Sequence, residues 1–151
     1  MEIVATSPAA PEALALIHQL DIDLAARYPG SPIHGIDTLE FAQAGGYFLV
    51  AKEGAAFVGC GAFRPLDAER AEIKRMFVVP AFRRQGRSRT ILRHLEGEIE
   101  RRGFREIVLE TGCNQPEAIA FYLAEGYRPI PLFSPYVDDT ISRCFAKPIG
   151  A

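Results

Sequence analysis

The feature that most constrains the fold of this 151-residue chain is the stretch at residues 76–90. An apolar, β-branched run ends at Pro80, a basic loop follows around Gly86, and a long amphipathic segment then begins. The first part is typical of a strand, and apolar residues at three- and four-residue steps predict a helix over 86–102. Because the next strand pattern follows at 106–110, we expect a strand–helix–strand unit with a parallel strand pair.

The loop between this strand and helix has the character of an anion site. The first N–H groups of a helix have no intrahelical partner, and the helix dipole also favours an anion there. Four arginines lie within seven residues, with no acidic residue among them: Arg83, Arg84, Arg87 and Arg89. This arrangement predicts a bound phosphate, more specifically a pyrophosphate, and the alternative is a solvated basic helix start.

The rest of the chain surrounds this unit with short strands and helices. Strand patterns occupy residues 3–5, 47–52, 56–63, 71–79, 106–110 and 140–146, and further helix patterns begin at Ser7 and cover 37–43 and 116–124. In the first helix the apolar face is expected to hold Leu14, Ile17, Leu20 and Leu24. The early strands read as antiparallel hairpins. The predicted fold is therefore α/β of the α+β type: a mixed, mostly antiparallel central sheet of six to seven strands flanked by helices, in a single domain over 1–151.

Composition excludes several classes of protein. A net charge of -2 argues against a general binder of polyanions, so a nucleic-acid partner is not expected. Three widely spaced cysteines without a CxxC pair predict neither a disulfide framework nor a metal site. The N-terminus does not resemble a signal peptide, and no apolar run approaches the ~18 residues of a membrane span. A cytoplasmic protein without membrane contact is expected.

Two blocks of the sequence resemble the GCN5-related N-acetyltransferase (GNAT) superfamily. The run Val79-Pro80-x-x-Arg83-x-x-Gly86-x-Ser88 matches that family's phosphate loop in most positions, with Ser88 where glycine or alanine is usual. Residues 115–127 resemble its second block, with Gln115 where asparagine is usual. Two blocks in register, each in a matching strand or helix context, are a specific signal.

The resemblance implies a GNAT-like acyl-CoA N-acyltransferase fold, acetyl-CoA as the acetyl donor, and no metal. It implies that the strand before the loop carries a bulge and splays from its parallel neighbour, so that its backbone pairs with the cofactor; plain core packing is the alternative for that strand. Gln115 is expected to cap or line one end of the cofactor groove. The implied cofactor-binding residues are Met76, Phe77, Val78, Arg83, Arg84, Gln85, Gly86, Arg87, Ser88, Arg89, Gln115 and Tyr122.

Tyr122 is the residue that the resemblance implies as general acid, protonating the departing thiolate. A phenol with a pKa near 10 can donate to a thiolate whose conjugate acid has a pKa near 8.5. The alternative is a buried tyrosine bonded to a backbone carbonyl. Glu72 is a candidate general base, against a surface pair of Glu72 with Lys74; Glu110 and bulk water are rivals for that role.

The acceptor is expected to be a primary amine of a small molecule, an amino acid or a peptide. The candidate residues for its site are Tyr28, His34, Tyr136 and Asp138, and the pair Asp138–Asp139 either attracts a cationic amine or forms an ordinary acidic turn. Two other functions stay open: a non-catalytic acyl-CoA-binding module, and nucleic-acid contact through the arginines. Edge strands leave room for a homodimer.

Overall fold

The computed structural model describes residues 1–150, and one seven-stranded sheet runs through them in the order β1-β2-β3-β4-β5-β7-β6. The strands are β1 (Glu2–Thr6), β2 (Tyr47–Glu53), β3 (Ala56–Pro65), β4 (Arg70–Val78), β5 (Glu106–Gly112), β6 (Arg128–Ile130) and β7 (Ser142–Pro148). The helices are α1 (Pro11–Arg27), α2 (Thr38–Gln43), α3 (Arg87–Arg101) and α4 (Pro116–Ala124), with a short 3-10 turn at Pro80–Phe82. The mixed, mostly antiparallel sheet flanked by helices is confirmed.

The parallel pair that the sequence predicts is β4 with β5, joined through α3. Its pairing is short, because it runs only from Arg70 opposite Glu106 to Ile73 opposite Leu109. Beyond those residues the two strands no longer pair with each other, although β4 continues to Val78 along β3 and β5 to Gly112 along β7. The splay that the resemblance implied is therefore confirmed, and it opens a cleft in the middle of the sheet.

The expected bulge also lies in β4, at the level of the cleft. Lys74 pairs with Ala62 and Phe77 with Cys60, so two residues of β4 stand opposite the single residue Gly61 of β3. Arg75, inside the bulge, has a φ of 57°, a left-handed conformation that is rare for a residue with a side chain. A bulge changes the direction in which side chains leave the strand.

Two apolar clusters cover the two faces of the sheet. On the face packed by α3, Ile91 and Leu95 contact Leu49, Ile73 and Leu109. On the other face, α1 contributes Ala13, Leu16 and Leu20, which pack against Phe48, Cys60 and Phe77. The predicted face of α1 is confirmed at Ile17, Leu20 and Leu24, which belong to this cluster or pack against it, and is wrong at Leu14, which is 50% exposed. No helix within residues 1–150 is long and apolar enough to cross a membrane.

Candidate active site

The loop before α3 presents six consecutive backbone N–H groups, from Arg84 to Arg89. Within residues 1–150 no carbonyl or side chain accepts a hydrogen bond from any of them. Arg84 and Gly86 both adopt left-handed conformations, with φ of 64° and 80°, and Gly86 is the N-cap of the helix. Alternation of left-handed and ordinary conformations turns successive N–H groups into one concavity that suits an anion. The loop thus has the geometry that a pyrophosphate requires.

The four arginines of this loop are less free than the sequence suggests. Arg87 forms an ion pair with Glu53 at the end of β2, and Arg89 pairs with Glu125 at 3.1 Å. Arg83 donates to the carbonyl of Val78 at 2.8 Å. Arg84 is exposed and has no acidic partner within residues 1–150. The acidic partners are distant in sequence, so the arginine count alone overstated the free positive charge.

The part of β4 that follows the bulge forms one wall of the cleft. Phe77 and Val78 pair with β3 on one side, at Cys60 and Gly59, and have no strand on the other. Their side chains are buried, as plain core packing requires, while the backbone edge toward β5 is unpaired. Core packing and cofactor binding are therefore compatible at these residues, because one uses the side chains and the other the backbone.

A pocket passes through the cleft and is lined from both faces of the sheet. Tyr122 of α4 reaches it from the face packed by α3, and Glu72, Lys74 and Glu110 reach it from the face packed by α1. The Tyr122 side chain is buried beside Tyr127, with ring centroids 5.7 Å apart. Its hydroxyl has no hydrogen-bond partner among residues 1–150 and is not sealed in the core, so it faces the pocket. Burial raises the pKa of Tyr122, which keeps the phenol protonated at neutral pH.

Glu72 is in the pocket wall, but its oxygens are already bonded. Arg64 donates to Oε1 through Nε at 2.9 Å and lies at 2.8 Å through Nη2, and the Tyr136 hydroxyl donates to Oε2 at 2.7 Å. The side chain is 1% exposed, so the alternative of a surface pair with Lys74 is wrong. The Lys74 Nζ lies 3.8 Å from Oε2, inside the same buried network. A carboxylate held this way is a poor proton acceptor.

Glu110 lies on the end of β5 that no longer pairs with β4, and it keeps one carboxylate oxygen free. Ser142 donates to Oε2 at 2.5 Å, and Oε1 has no partner among residues 1–150. Burial raises the pKa of Glu110 above its usual range, and the hydrogen bond from Ser142 opposes that rise. A carboxylate whose pKa is moved toward neutrality, with a free oxygen in a pocket, has the properties of a general base.

Gln115 braces the turn between β5 and α4 and makes no side-chain cap for the helix. Its Oε1 accepts from the backbone N–H of Gly112 at 3.2 Å and from the Tyr28 hydroxyl at 3.1 Å. The same hydroxyl accepts from the N–H of Asn114 at 3.0 Å. A Cβ on Gly112 would overlap the Tyr28 ring, so glycine is required there. Gln115 also lines the pocket.

The four residues predicted for the acceptor site do not lie together. His34 and Tyr136 line the pocket, with ring centroids 4.9 Å apart, and His34 Nε2 lies 2.9 Å from Asp139 Oδ2. Asp138 is exposed and does not line the pocket. Of the expected acidic pair, only Asp139 therefore contacts a pocket residue, His34. Tyr28 lies in an adjoining pocket with His34 and Asp139.

Two cationic residues in the pocket were missed by sequence reasoning. The sequence indicates Lys74 only as a surface partner of Glu72 and indicates no role for Arg75, yet both line the pocket. Strict strand alternation directs Arg75 away from Lys74, and only the bulge brings both side chains to one pocket. The predicted bulge was the available signal for this arrangement.

Comparison with known proteins gives consistent matches over the length of the chain. The sequence model described as "Acetyltransferase (GNAT) family" matches residues 17–127. An IAA acetyltransferase of Azospirillum brasilense is 36% identical over 149 residues, covering 97% of each chain. A Klebsiella pneumoniae protein of known structure, proposed to be an acyl-CoA N-acyltransferase, is 29% identical with a TM-score of 0.82, covering 99% of this chain and 97% of its own. A GNAT family acetyltransferase from Elizabethkingia anophelis, solved with acetyl-CoA bound, is 18% identical with a TM-score of 0.70, covering 98% and 97%, and supports the fold.

Proposed function

This chain belongs to the GNAT family of acetyltransferases, and we propose that it moves the acetyl group of acetyl-CoA directly to a primary amine within one ternary complex. The amine is that of a small molecule, an amino acid or a peptide. The main support for this proposal is the cleft between β4 and β5, which lies between the loop before α3 and a pocket. That pocket holds the unbonded hydroxyl of Tyr122 and the unbonded Oε1 of Glu110. Direct transfer needs an acid and a base on either side of a single cleft.

The residues around the cleft fit the shape and charge of the donor. The N–H groups of Arg84–Arg89 would hold the pyrophosphate, as their geometry and lack of internal partners support. The backbone edge of Met76–Val78, which has no strand beside it and in which only the Val78 carbonyl is already bonded, to Arg83, would bond to the amides of the pantetheine arm. When bound, the donor supplies an acyl group on a thiol leaving group. The residues of the chain then orient that group and handle protons.

Tyr122 is proposed as the general acid. As the amine nitrogen bonds to the acetyl carbon, the carbon–sulfur bond breaks and its electron pair stays on sulfur. The Tyr122 O–H donates its proton to that sulfur. A phenol is protonated at neutral pH, and the Tyr122 hydroxyl is unbonded within residues 1–150, so no competing acceptor holds its proton.

Glu110 is the better-supported general base. An amine must lose a proton before or during attack, and Glu110 has a free Oε1 and a raised pKa. Glu72, the first candidate from sequence, has both oxygens occupied by Arg64 and Tyr136. We assign Glu72 to holding Tyr136 over the pocket, and Glu110 to accepting the amine proton directly or through one water molecule.

A panel of amines incubated with the protein and acetyl-CoA tests this function. Release of free thiol gives the rate, mass spectrometry identifies the acetylated product, and reactions without amine correct for hydrolysis. The panel includes IAA, because the A. brasilense relative is named for it. Amine-dependent thiol release supports the proposal. Acetyl-CoA binding without turnover on any amine indicates the alternative, a non-catalytic acyl-CoA-binding module.

A further inference from the structure

Two neighbouring cationic side chains, Lys74 and Arg75, line the same pocket wall. The Lys74 side chain is 7% exposed and that of Arg75 is 4% exposed. Arg75 is directed toward α1, where it forms an ion pair with Asp21. The bulge and the left-handed φ of Arg75 make this possible, because residues adjacent in a regular strand point to opposite faces. The strand is thus distorted at the point where it delivers a second cation to the pocket.

These two cations have more hydrogen-bond donors than the protein satisfies. Lys74 Nζ donates to the Tyr136 hydroxyl at 3.0 Å, and Arg75 Nη2 bonds to Asp21. Arg75 Nε is completely buried and has no acceptor among residues 1–150. Burial also lowers the pKa of Lys74, as expected for a cation short of acceptors. Buried charged donors normally have their hydrogen bonds satisfied. Lys74 has Glu72 beside it and Arg75 has Asp21, yet Arg75 Nε and part of the Lys74 ammonium have no hydrogen-bond acceptor among residues 1–150.

Glu72, the carboxylate beside Lys74, does not satisfy these remaining N–H groups. Glu72 already accepts from Arg64 on one oxygen and from Tyr136 on the other, and it stands 3.8 Å from Lys74. The donor's pyrophosphate is expected at Arg84–Arg89, and none of those residues lines this pocket. The pocket that Lys74 and Arg75 line is therefore separate from the expected pyrophosphate site, on the side of the cleft left for the acceptor.

We propose that the acceptor carries a carboxylate as well as its amine, and that Lys74 and Arg75 bind that carboxylate. The acceptor is then an amino acid or another carboxylate-bearing amine. Glu110, with its free oxygen in the same pocket, receives the amine end, so the two ends of the acceptor meet opposite charges. This assignment rests on the proposed acetyl transfer, because it names the acceptor of that reaction.

Matched acceptors test the assignment: several amino acids, the carboxamide of each, and the corresponding amine without the carboxyl group. Thiol release with acetyl-CoA gives kcat/KM for each member. We expect the acid to exceed its carboxamide by about tenfold or more, the usual worth of a hydrogen bond to a charged group. Equal values for acids and carboxamides would overturn the assignment and leave acetyl transfer intact. No turnover with any member would instead count against the proposed function.

Three variants locate the effect. Lys74→Met and Arg75→Gln should each reduce the acid-to-carboxamide ratio of kcat/KM severalfold. Lys52→Met, which removes a lysine outside the pocket, should keep the ratio. A second measurement does not need turnover: the acid alone should raise the melting temperature of the unmodified protein more than its carboxamide does, and Lys74→Met should abolish the difference. A ratio unaffected by Lys74→Met would contradict the assignment, even if Arg75→Gln failed to fold.

Discussion

Replacing Tyr122 by phenylalanine, and separately its neighbour Tyr127, distinguishes an effect on catalysis from an effect on stability. The Tyr122 hydroxyl has no partner within residues 1–150, so Tyr122→Phe removes no hydrogen bond from the fold. The free energy of unfolding should change by less than about 0.5 kcal/mol. If this hydroxyl protonates the leaving thiolate, kcat should fall by about 10²–10⁴-fold, the usual contribution of a positioned general acid.

Tyr127→Phe is the matched control, and the opposite result is expected. The Tyr127 hydroxyl donates to Glu96 Oε2 at 2.8 Å, and Lys147 Nζ donates to the same oxygen at 3.0 Å. Loss of a buried bond to a charged acceptor costs about 1.5–3 kcal/mol, reduced here because Lys147 still satisfies the carboxylate. We expect about 1–2 kcal/mol, or a melting temperature lower by roughly 2–8 °C in a domain of this size. Its kcat should stay close to that of the unmodified protein.

Thermal melts give the stability of the two variants, and steady-state thiol release gives their kcat. A stable Tyr122→Phe protein with normal kcat would refute the acid assignment. A Tyr122→Phe protein as destabilised as Tyr127→Phe would refute the structural premise, because it would mean that the Tyr122 hydroxyl is bonded within the fold.

Substitutions at three other positions have defined outcomes. Gly86→Ala and Gly86→Glu share the strain of a positive φ, about 1–2 kcal/mol, and in both the added Cβ meets no atom within 4 Å. Only the glutamate adds a negative charge to the anion loop, so calorimetry should show that it alone raises the acetyl-CoA Kd tenfold or more. Equal Kd values for the two variants would contradict the loop assignment. Glu110→Gln should lower kcat and remove the acidic limb of the kcat/KM pH profile, and a retained limb would assign the base elsewhere. Burial raises the pKa of Glu110 in the folded protein, so ionising this side chain as pH rises destabilises the unmodified protein. Glutamine does not ionise. The melting temperature of Glu110→Gln relative to that of the unmodified protein should therefore increase between pH 4 and pH 8. Gly112→Ala should displace the Tyr28 ring and cost about 1–3 kcal/mol in a denaturant titration, whereas unchanged stability would show that the ring is free to move.

Much of the fold was predictable because its signals are local. The helix at Pro116–Ala124 begins with a proline and ends two residues before a glycine, and its bounds were predicted without error. Strand β6 (Arg128–Ile130) was missed, since three residues with a central proline carry no periodic signal. Leu14 was wrongly placed on the buried face of α1, where Ala13 and Leu16 lie against the sheet instead.

The site was less predictable because its chemistry depends on contacts between distant residues. The loop arginines are contiguous, but their partners Glu53 and Glu125 belong to other elements. The sequence does not show that Arg64 and Tyr136 bond to Glu72 and bury it, because both residues are distant from it along the chain or in another element. Arg75 changes face only because of the bulge, which the resemblance implied but whose position within β4 the sequence did not specify.

The most direct test of the whole account is amide hydrogen exchange with and without acetyl-CoA. The N–H groups of Arg84–Arg89 have no internal acceptor within residues 1–150, so they should exchange rapidly in the free protein. Acetyl-CoA should slow exchange at these six amides, while amides of β1, at the far edge of the sheet, stay unchanged. A raised melting temperature with no protection of these amides would show that the donor binds elsewhere, and would contradict the central claim.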